Sequence, residues 1–74
     1  SDLDLIDSLG PHHEDAIKMA DEVLQRGART DVRKVAQTMH DQQKKDVEMM
    51  KSIRVELAGS PDFKPMRDPH GEAD

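Results

Sequence analysis

The sequence has no cysteine and only one aromatic residue, Phe63, among its 74 residues. The absence of cysteine excludes disulfide bonds and thiolate zinc sites as ways of stabilising a short chain. Because aromatic side chains normally supply much of a buried core, the core here must be aliphatic and methionine-rich. A chain of this length forms one domain at most and rarely buries enough apolar surface to be stable alone. We therefore expect it to self-associate.

Long apolar runs and an excess of positive charge are also missing. No run approaches the roughly 20 apolar residues that a transmembrane helix needs, so we expect no membrane insertion. The formal net charge is −5, which argues against binding to the nucleic-acid backbone. The sequence has no glycine-rich phosphate loop, no His-Glu-x-x-His motif and no serine with an evident base beside it. We therefore do not expect an enzyme.

Apolar residues recur at helical spacing in two segments, at about residues 3–26 and 31–58. The stripe of the first segment comprises Ile6, Leu9, His13, Ala16, Ala20 and Val23. The stripe of the second comprises Val32, Ala36, Met39, Gln43, Val47, Met50, Ile53 and Leu57. The first stripe keeps its phase across Pro11, which favours one bent helix over a helix that begins at Pro11.

Turn-forming residues separate and end the two segments. Gly27 fits a left-handed C-cap, and Thr30 fits the N-cap of the second helix. A connection this short makes the two helices antiparallel neighbours. Gly59 ends the second helix, and residues 59–74, which contain three prolines, are expected to be extended or disordered.

The sequence therefore predicts an all-α fold in which residues 1–58 form a helical hairpin. Two helices alone cannot cover apolar stripes this wide. The simplest closed solution is a four-helix bundle made from two hairpins. Because the 74 residues contain no internal repeat, the second hairpin is expected to come from a second copy of the chain, in a homodimer. A further protein partner cannot be named from the sequence.

Histidine, methionine and glutamine side chains are expected to converge at the middle of this hairpin. In an antiparallel hairpin that turns near Ala28, the numbers of facing residues sum to about 57. This register places His13 near Gln43 and Met19 near Met39. The candidate metal ligands are His12, His13, Met19, Met39 and His40, with Gln43 as a polar partner in the core.

Two interpretations of this cluster remain open. Imidazole and thioether ligands suit monovalent copper, and silver for the same reason of softness, which predicts a soft-metal site. Alternatively, a buried hydrogen bond between His13 and Gln43 sets the helix register while the methionines fill gaps in the core. The second interpretation describes a non-catalytic structural or protein-interaction module.

The motifs resemble a known bacterial family, domain-of-unknown-function family 305. The resemblance covers residues 2–57 and rests on Asp4-Leu5-Ile6-Asp7, Pro11-His12-His13-Glu14, Ala16-Ile17, Met19-Ala20, Asp31-Val32-Arg33, Ala36, Gln42 or Gln43, and Met49 or Met50. It implies a ferritin-like four-helix architecture, often built from two such hairpins. Members are commonly exported, which implies a periplasmic or extracellular location, and some are linked to copper or other metals.

The resemblance also bears on individual residues. His12, His13, Met19 and Met50 match recurrent family positions, whereas His40 does not belong to the family motif. The sequence departs from the motif at Leu9-Gly10 and at Asp46-Val47. The first departure removes a methionine before the histidine pair, and with it one candidate soft ligand.

Overall fold

The computed structural model describes residues 1–64, which form two helices joined by a short turn. Helix α1 spans Asp2–Arg26 and helix α2 spans Thr30–Ala58. No strand occurs in this part of the chain. The two helices pack against each other along their length, so the prediction of an all-helical hairpin is confirmed.

Helix α1 runs without a break through Pro11, as the phase of its apolar stripe predicted. Its first turn is capped by Ser1, whose Oγ accepts a hydrogen bond from the Asp4 backbone N–H at 3.1 Å. Gly10, immediately before the proline, is buried. A residue that precedes proline is crowded in the helical conformation through its Cβ, so a glycine at position 10 relieves part of that crowding.

The helix ends differ in detail from the predictions. Gly59 adopts the left-handed conformation (φ 80°, ψ 1°), and its N–H donates to the Val55 carbonyl at 2.8 Å, so this cap is confirmed. Gly27 also has a positive φ of 80°, but its ψ of 136° lies outside the left-handed helical region. Gly27 therefore ends α1 with an extended exit toward the next helix.

The prediction that Thr30 caps α2 is wrong, because Thr30 already belongs to the helix. The carbonyl of Arg29 accepts the first helical hydrogen bond, from the Arg33 N–H at 2.9 Å. Arg29 is therefore the N-cap, without a side-chain capping bond. Its guanidinium instead contacts the Asp31 carboxylate at 2.9 Å.

The core between the two helices is small. Its buried apolar residues are Ile6, Ala20, Ala36, Val47 and Met50. All five belong to the predicted stripes, yet no side chain in residues 1–64 is completely buried. Other stripe residues are largely open, including Leu57 at 48% and Met39 at 45% exposure. The hairpin thus covers only one edge of each apolar stripe.

Exposed apolar side chains lie together on one side of the hairpin. At about 100° per residue, nine of them project to this side: Leu5, Leu9, Met19, Val32, Val35, Met39, Met49, Ile53 and Leu57. We call this surface the apolar face. Another exposed large apolar residue, Val55, lies on the other side of α2.

The opposite side of the hairpin is polar and is crossed by ion pairs between the helices. We call it the polar side. Lys51 Nζ lies 3.8 Å from Glu14 Oε2, and His40 Nε2 lies 3.2 Å from Asp21 Oδ1. These groups satisfy one another and stay partly hydrated. The hairpin is therefore strongly two-sided.

The segment after α2 folds back onto the polar side. The Phe63 ring covers Gly10, and Lys51 Nζ lies 5.9 Å from the centre of that ring. The backbone N–H of Lys64 donates to Asp7 Oδ1 at 3.1 Å. Residues 60–64 therefore pack on the helices, whereas residues 65–74, with the rest of the predicted extended or disordered region, lie outside the described residues.

Substitution of Gly10 tests this packing. A Cβ at position 10 would lie 2.5 Å from the Phe63 ring, so Gly10→Ala displaces the ring. We expect a net destabilisation of about 1 kcal/mol, because overpacking outweighs the gain in helix propensity. Thermal unfolding, followed by circular dichroism, measures the change.

The same substitution in a Phe63→Ala background is the control. Without the ring, only the crowding before Pro11 opposes the new methyl group, so Gly10→Ala should then cost less than it does in the unsubstituted protein. Equal losses in both backgrounds would show that Phe63 does not pack on Gly10.

Candidate functional site

The register of the two helices differs from the predicted one near the histidines. His13 Nε2 lies 3.7 Å from Asp46 Oδ2, and Asp46 is three residues beyond the predicted partner, Gln43. Helical side chains lean toward the N-terminus of their own helix. His13 therefore leans toward the open end of the hairpin, whereas side chains of α2 lean toward the turn. Asp46 lies nearer the open end than His13 and leans toward it. Gln43 lies nearer the turn and leans away from His13. The prediction of a His13–Gln43 pair is corrected to a His13–Asp46 pair.

Both ring nitrogens of His13 have partners. Nδ1 donates to the Leu9 carbonyl oxygen at 2.9 Å, one turn earlier in α1. Nε2 faces Asp46, whose Oδ1 accepts a hydrogen bond from Gln42 Nε2 at 3.2 Å. The imidazole and the carboxylate are both partly buried. His13 thus contacts groups of both helices and connects α1 to α2.

His40 is held in a similar way, but on the polar side. Its Nδ1 lies 3.1 Å from Asp41 Oδ1, and its Nε2 lies 3.2 Å from Asp21 Oδ1. Gln37 Nε2 also donates to Asp41, at 3.0 Å. The hydrogen bonds from His40 and Gln37 lower the pKa of the Asp41 carboxyl below its usual value. His40 is thus separated from the predicted methionine ligands.

The other three predicted ligands share a groove on the apolar face. His12, Met19 and Met39 line a cavity of about 380 Å³ between the helices. Asp15 also lines the groove, and the remaining walls are apolar: Ala16, Ala20, Val23, Val32, Val35 and Ala36. Met19 is 66% and Met39 is 45% exposed. Their thioether sulfurs are therefore accessible in an apolar setting.

The predicted five-residue cluster is consequently divided into two groups. His12, Met19 and Met39 share the groove, whereas His13 and His40 bind carboxylates. In the part of the chain that the structure describes, no three imidazole or carboxylate side chains converge on a point that could hold a metal ion. An ion bound in the groove would thus depend on thioether sulfur.

The most buried ion pair was not anticipated from the sequence. Arg54, only 7% exposed, donates from Nε to Asp7 Oδ1 at 2.7 Å. Its Nη1 donates to the Ser60 carbonyl at 2.8 Å. The hydrogen bond from Arg54 lowers the pKa of the Asp7 carboxyl, against the opposing effect of burial. Arg54 thereby joins α1, α2 and the segment that follows α2.

A sequence signal for this pair did exist. Arg54 lies seven residues after Val47 and four after Met50, in phase with the apolar stripe. A charged residue in phase with a buried stripe indicates a paired charge. Asp7 lies beside Ile6 and so could have been named as an acidic partner near the open end of the hairpin.

The fold thus defines the class of protein: an all-helical hairpin with one apolar and one polar side. The sequence model of the family described as Domain of unknown function (DUF305) matches residues 2–73. The chain therefore belongs to this family, and the match extends beyond residue 57, where the motif resemblance ended. No curated protein and no solved structure matches the chain significantly.

The length and hydropathy of the two helices bear on membrane insertion. Within residues 1–64, neither helix contains a stretch that is both long and apolar enough to span a bilayer.

Proposed function

We propose that this chain is a small, non-catalytic binding protein of the bacterial envelope that holds a soft monovalent metal ion, copper or silver. The ligands are His12, Met19 and Met39, and the working form is a four-helix bundle of two chains. The observation that carries the proposal is the shared groove on the apolar face. His13 and His40, which the sequence also predicts as ligands, lie beside carboxylates and are left out of the proposed ligand set.

The geometry of α1 favours cooperation between His12 and Met19. Residues seven apart lie on the same side of a helix, separated by about 10 Å along its axis. Both side chains lean toward the N-terminus of α1, and both line the same groove. Met39 enters the same groove from α2. The donor set of imidazole and thioether is one that monovalent copper and silver prefer over hard cations.

Substitution of the groove methionines tests the proposal. Met19→Leu and Met39→Leu keep the apolar volume but remove the sulfur, so each should weaken Ag⁺ binding at least about tenfold while folding is retained. Isothermal titration of the folded protein with silver nitrate measures the affinity, and circular dichroism confirms the fold.

Met49→Leu is the matched control, because Met49 is an exposed methionine of α2 outside the groove. It should leave the affinity for Ag⁺ unchanged. Equal weakening in all three variants, or no uptake of Ag⁺ by the unsubstituted protein at micromolar concentrations, would contradict the proposal.

A second candidate function is a purely structural or protein-interaction module. It is favoured by the engagement of both nitrogens of His13 and of His40 in contacts within the chain. In this case the apolar face binds a protein and the groove methionines only pack. The second candidate predicts that the Met→Leu variants still bind that partner and that the chain takes up no silver.

A further inference from the structure

The apolar face is interrupted at one level by polar side chains from both helices. On α1 the interruption is His12 and His13, and on α2 it is Gln42 and Asp46. The His13–Asp46 contact and the Gln42–Asp46 hydrogen bond join three of these side chains, and His12 is next to His13 in α1. We call these four residues the polar layer.

The polar layer lies at the middle of the hairpin. Helix α1 extends from residue 2 to 26 and α2 from residue 30 to 58, so their midpoints are close to His13 and Asp46. Leu5 and Leu9 on α1, with Met49, Ile53 and Leu57 on α2, form the apolar half toward the open end. Met19, Val32, Val35 and Met39 form the half toward the turn. The face is therefore ordered as apolar, polar and apolar along its length.

The dimensions and charge of the face suit a second copy of the chain. It is roughly 38 Å long and about 20 Å wide, on the order of 800 Å², which matches the area that one partner contributes to a standard interface. The chain carries a net charge of −5. Two acidic side chains border the face: Asp46, which lies 3.7 Å from His13 Nε2, and Asp15, which lines the groove. The repulsion that the face itself offers is therefore small.

We propose that a second copy docks face to face on the apolar face, with the polar layers of the two copies in contact at the two-fold axis. Two arrangements overlap the full length of both faces: an axis parallel to the helices, or one perpendicular to them at mid-height. Because the polar layer is at mid-height, both arrangements place the polar layer of one copy against the polar layer of the other. A shift along the helices would set apolar side chains against His12 and Asp46.

This contact makes the metal site a property of the dimer, and in this respect the inference rests on the proposed function. His12 is exposed and has no hydrogen-bond partner within residues 1–64. The partner copy supplies a second imidazole at the same level, so one ion is shared by two chains. The proposal predicts one Ag⁺ per two chains, since His12 is the one imidazole of residues 1–64 that has no polar contact within that part of the chain.

Single-cysteine variants test the arrangement without using a metal, because residues 1–64 contain no cysteine and neither does the rest of the sequence. A short bis-maleimide crosslinker is added to micromolar His12→Cys protein. Two cysteines at the two-fold axis have an effective concentration in the millimolar range, so crosslinking should be roughly 100-fold faster than between unassociated chains. Gln42→Cys, in the same layer, is expected to behave in the same way.

Lys18→Cys is the matched control, since Lys18 is exposed on α1 but directed away from the apolar face. It should crosslink only at the slow rate. Fast crosslinking of His12→Cys and Gln42→Cys with slow crosslinking of Lys18→Cys supports the inference. Slow crosslinking in both layer variants, or equal rates in all three, overturns it. A failure of silver binding with fast layer crosslinking would reject the metal function and keep the interface.

Discussion

Val35→Asp should weaken self-association by about 100-fold, because it buries a carboxylate without a partner in an apolar interface. Val35 is 60% exposed in the single hairpin and lies near the centre of the apolar half next to the turn. The free hairpin can hydrate the new carboxylate, so the penalty falls on the dimer. Sedimentation equilibrium over a range of concentrations gives the dissociation constant.

The chain provides a closely matched control for this experiment. Val55 belongs to the same helix and is 45% exposed, but it lies on the opposite side. Val55→Asp places the same charge outside the interface and should change the dissociation constant less than about threefold. Asp is also less favourable near a helix C-terminus. Any effect of this on α2 would make the control variant differ more from the unsubstituted protein, so a small change in the dissociation constant is a stringent result. Similar effects of both substitutions would show that the apolar face is not the interface.

Arg54→Ala should be among the most destabilising single substitutions, with a loss in Tm on the order of 10 °C. The Arg54 guanidinium is held by Asp7 and by the Ser60 carbonyl, and it connects three parts of the chain. Its removal leaves a largely buried carboxylate and an unpaired carbonyl. Differential scanning calorimetry at fixed protein concentration measures the change, because Tm depends on concentration in a dimer.

Arg33→Ala is the control for this prediction. Arg33 also lies on α2 and donates to a carbonyl, that of Leu24 at 3.0 Å, but it is exposed. Its loss should shift Tm by only a few degrees. If Arg33→Ala costs as much as Arg54→Ala, the burial of the Arg54 pair is not what stabilises the fold.

The Arg54–Asp7 pair also predicts a pH dependence. The pKa of Asp7 is lowered in the folded chain, so the pair stabilises the fold above the ordinary aspartate pKa of 3.8. That contribution is lost as the pH falls below this value, through the pKa of the folded state. Arg54→Ala should therefore reduce the loss of Tm that occurs between pH 5 and pH 3, relative to the unsubstituted protein.

The helices were predictable because local signals agree with one another. Helical periodicity, the short turn after Gly27 and the cap at Gly59 all indicate a hairpin. The core residues Ile6, Ala20 and Val47 follow from the same periodicity. The family motif around His12 and His13 is local in sequence, so it too could be recognised from the sequence alone.

The pairing across the hairpin was less predictable, because it depends on which way side chains lean. A register drawn from backbone positions alone placed His13 beside Gln43, whereas the lean of both side chains joins His13 to Asp46. The position of Asp46 on the flank of the stripe concealed this contact. Arg54 is buried partly because residues 60–64 pack back onto the helices. The sequence of this segment, which contains proline, does not predict that packing.

Native mass spectrometry of the unsubstituted protein with Ag⁺ tests the central claim most directly. The account predicts that a species with twice the 8.3 kDa chain mass predominates at micromolar concentration and carries one ion. The same dimer should persist without metal, because its interface is apolar. A single chain that binds an ion by itself, or a chain that remains monomeric with and without Ag⁺, would contradict the shared site.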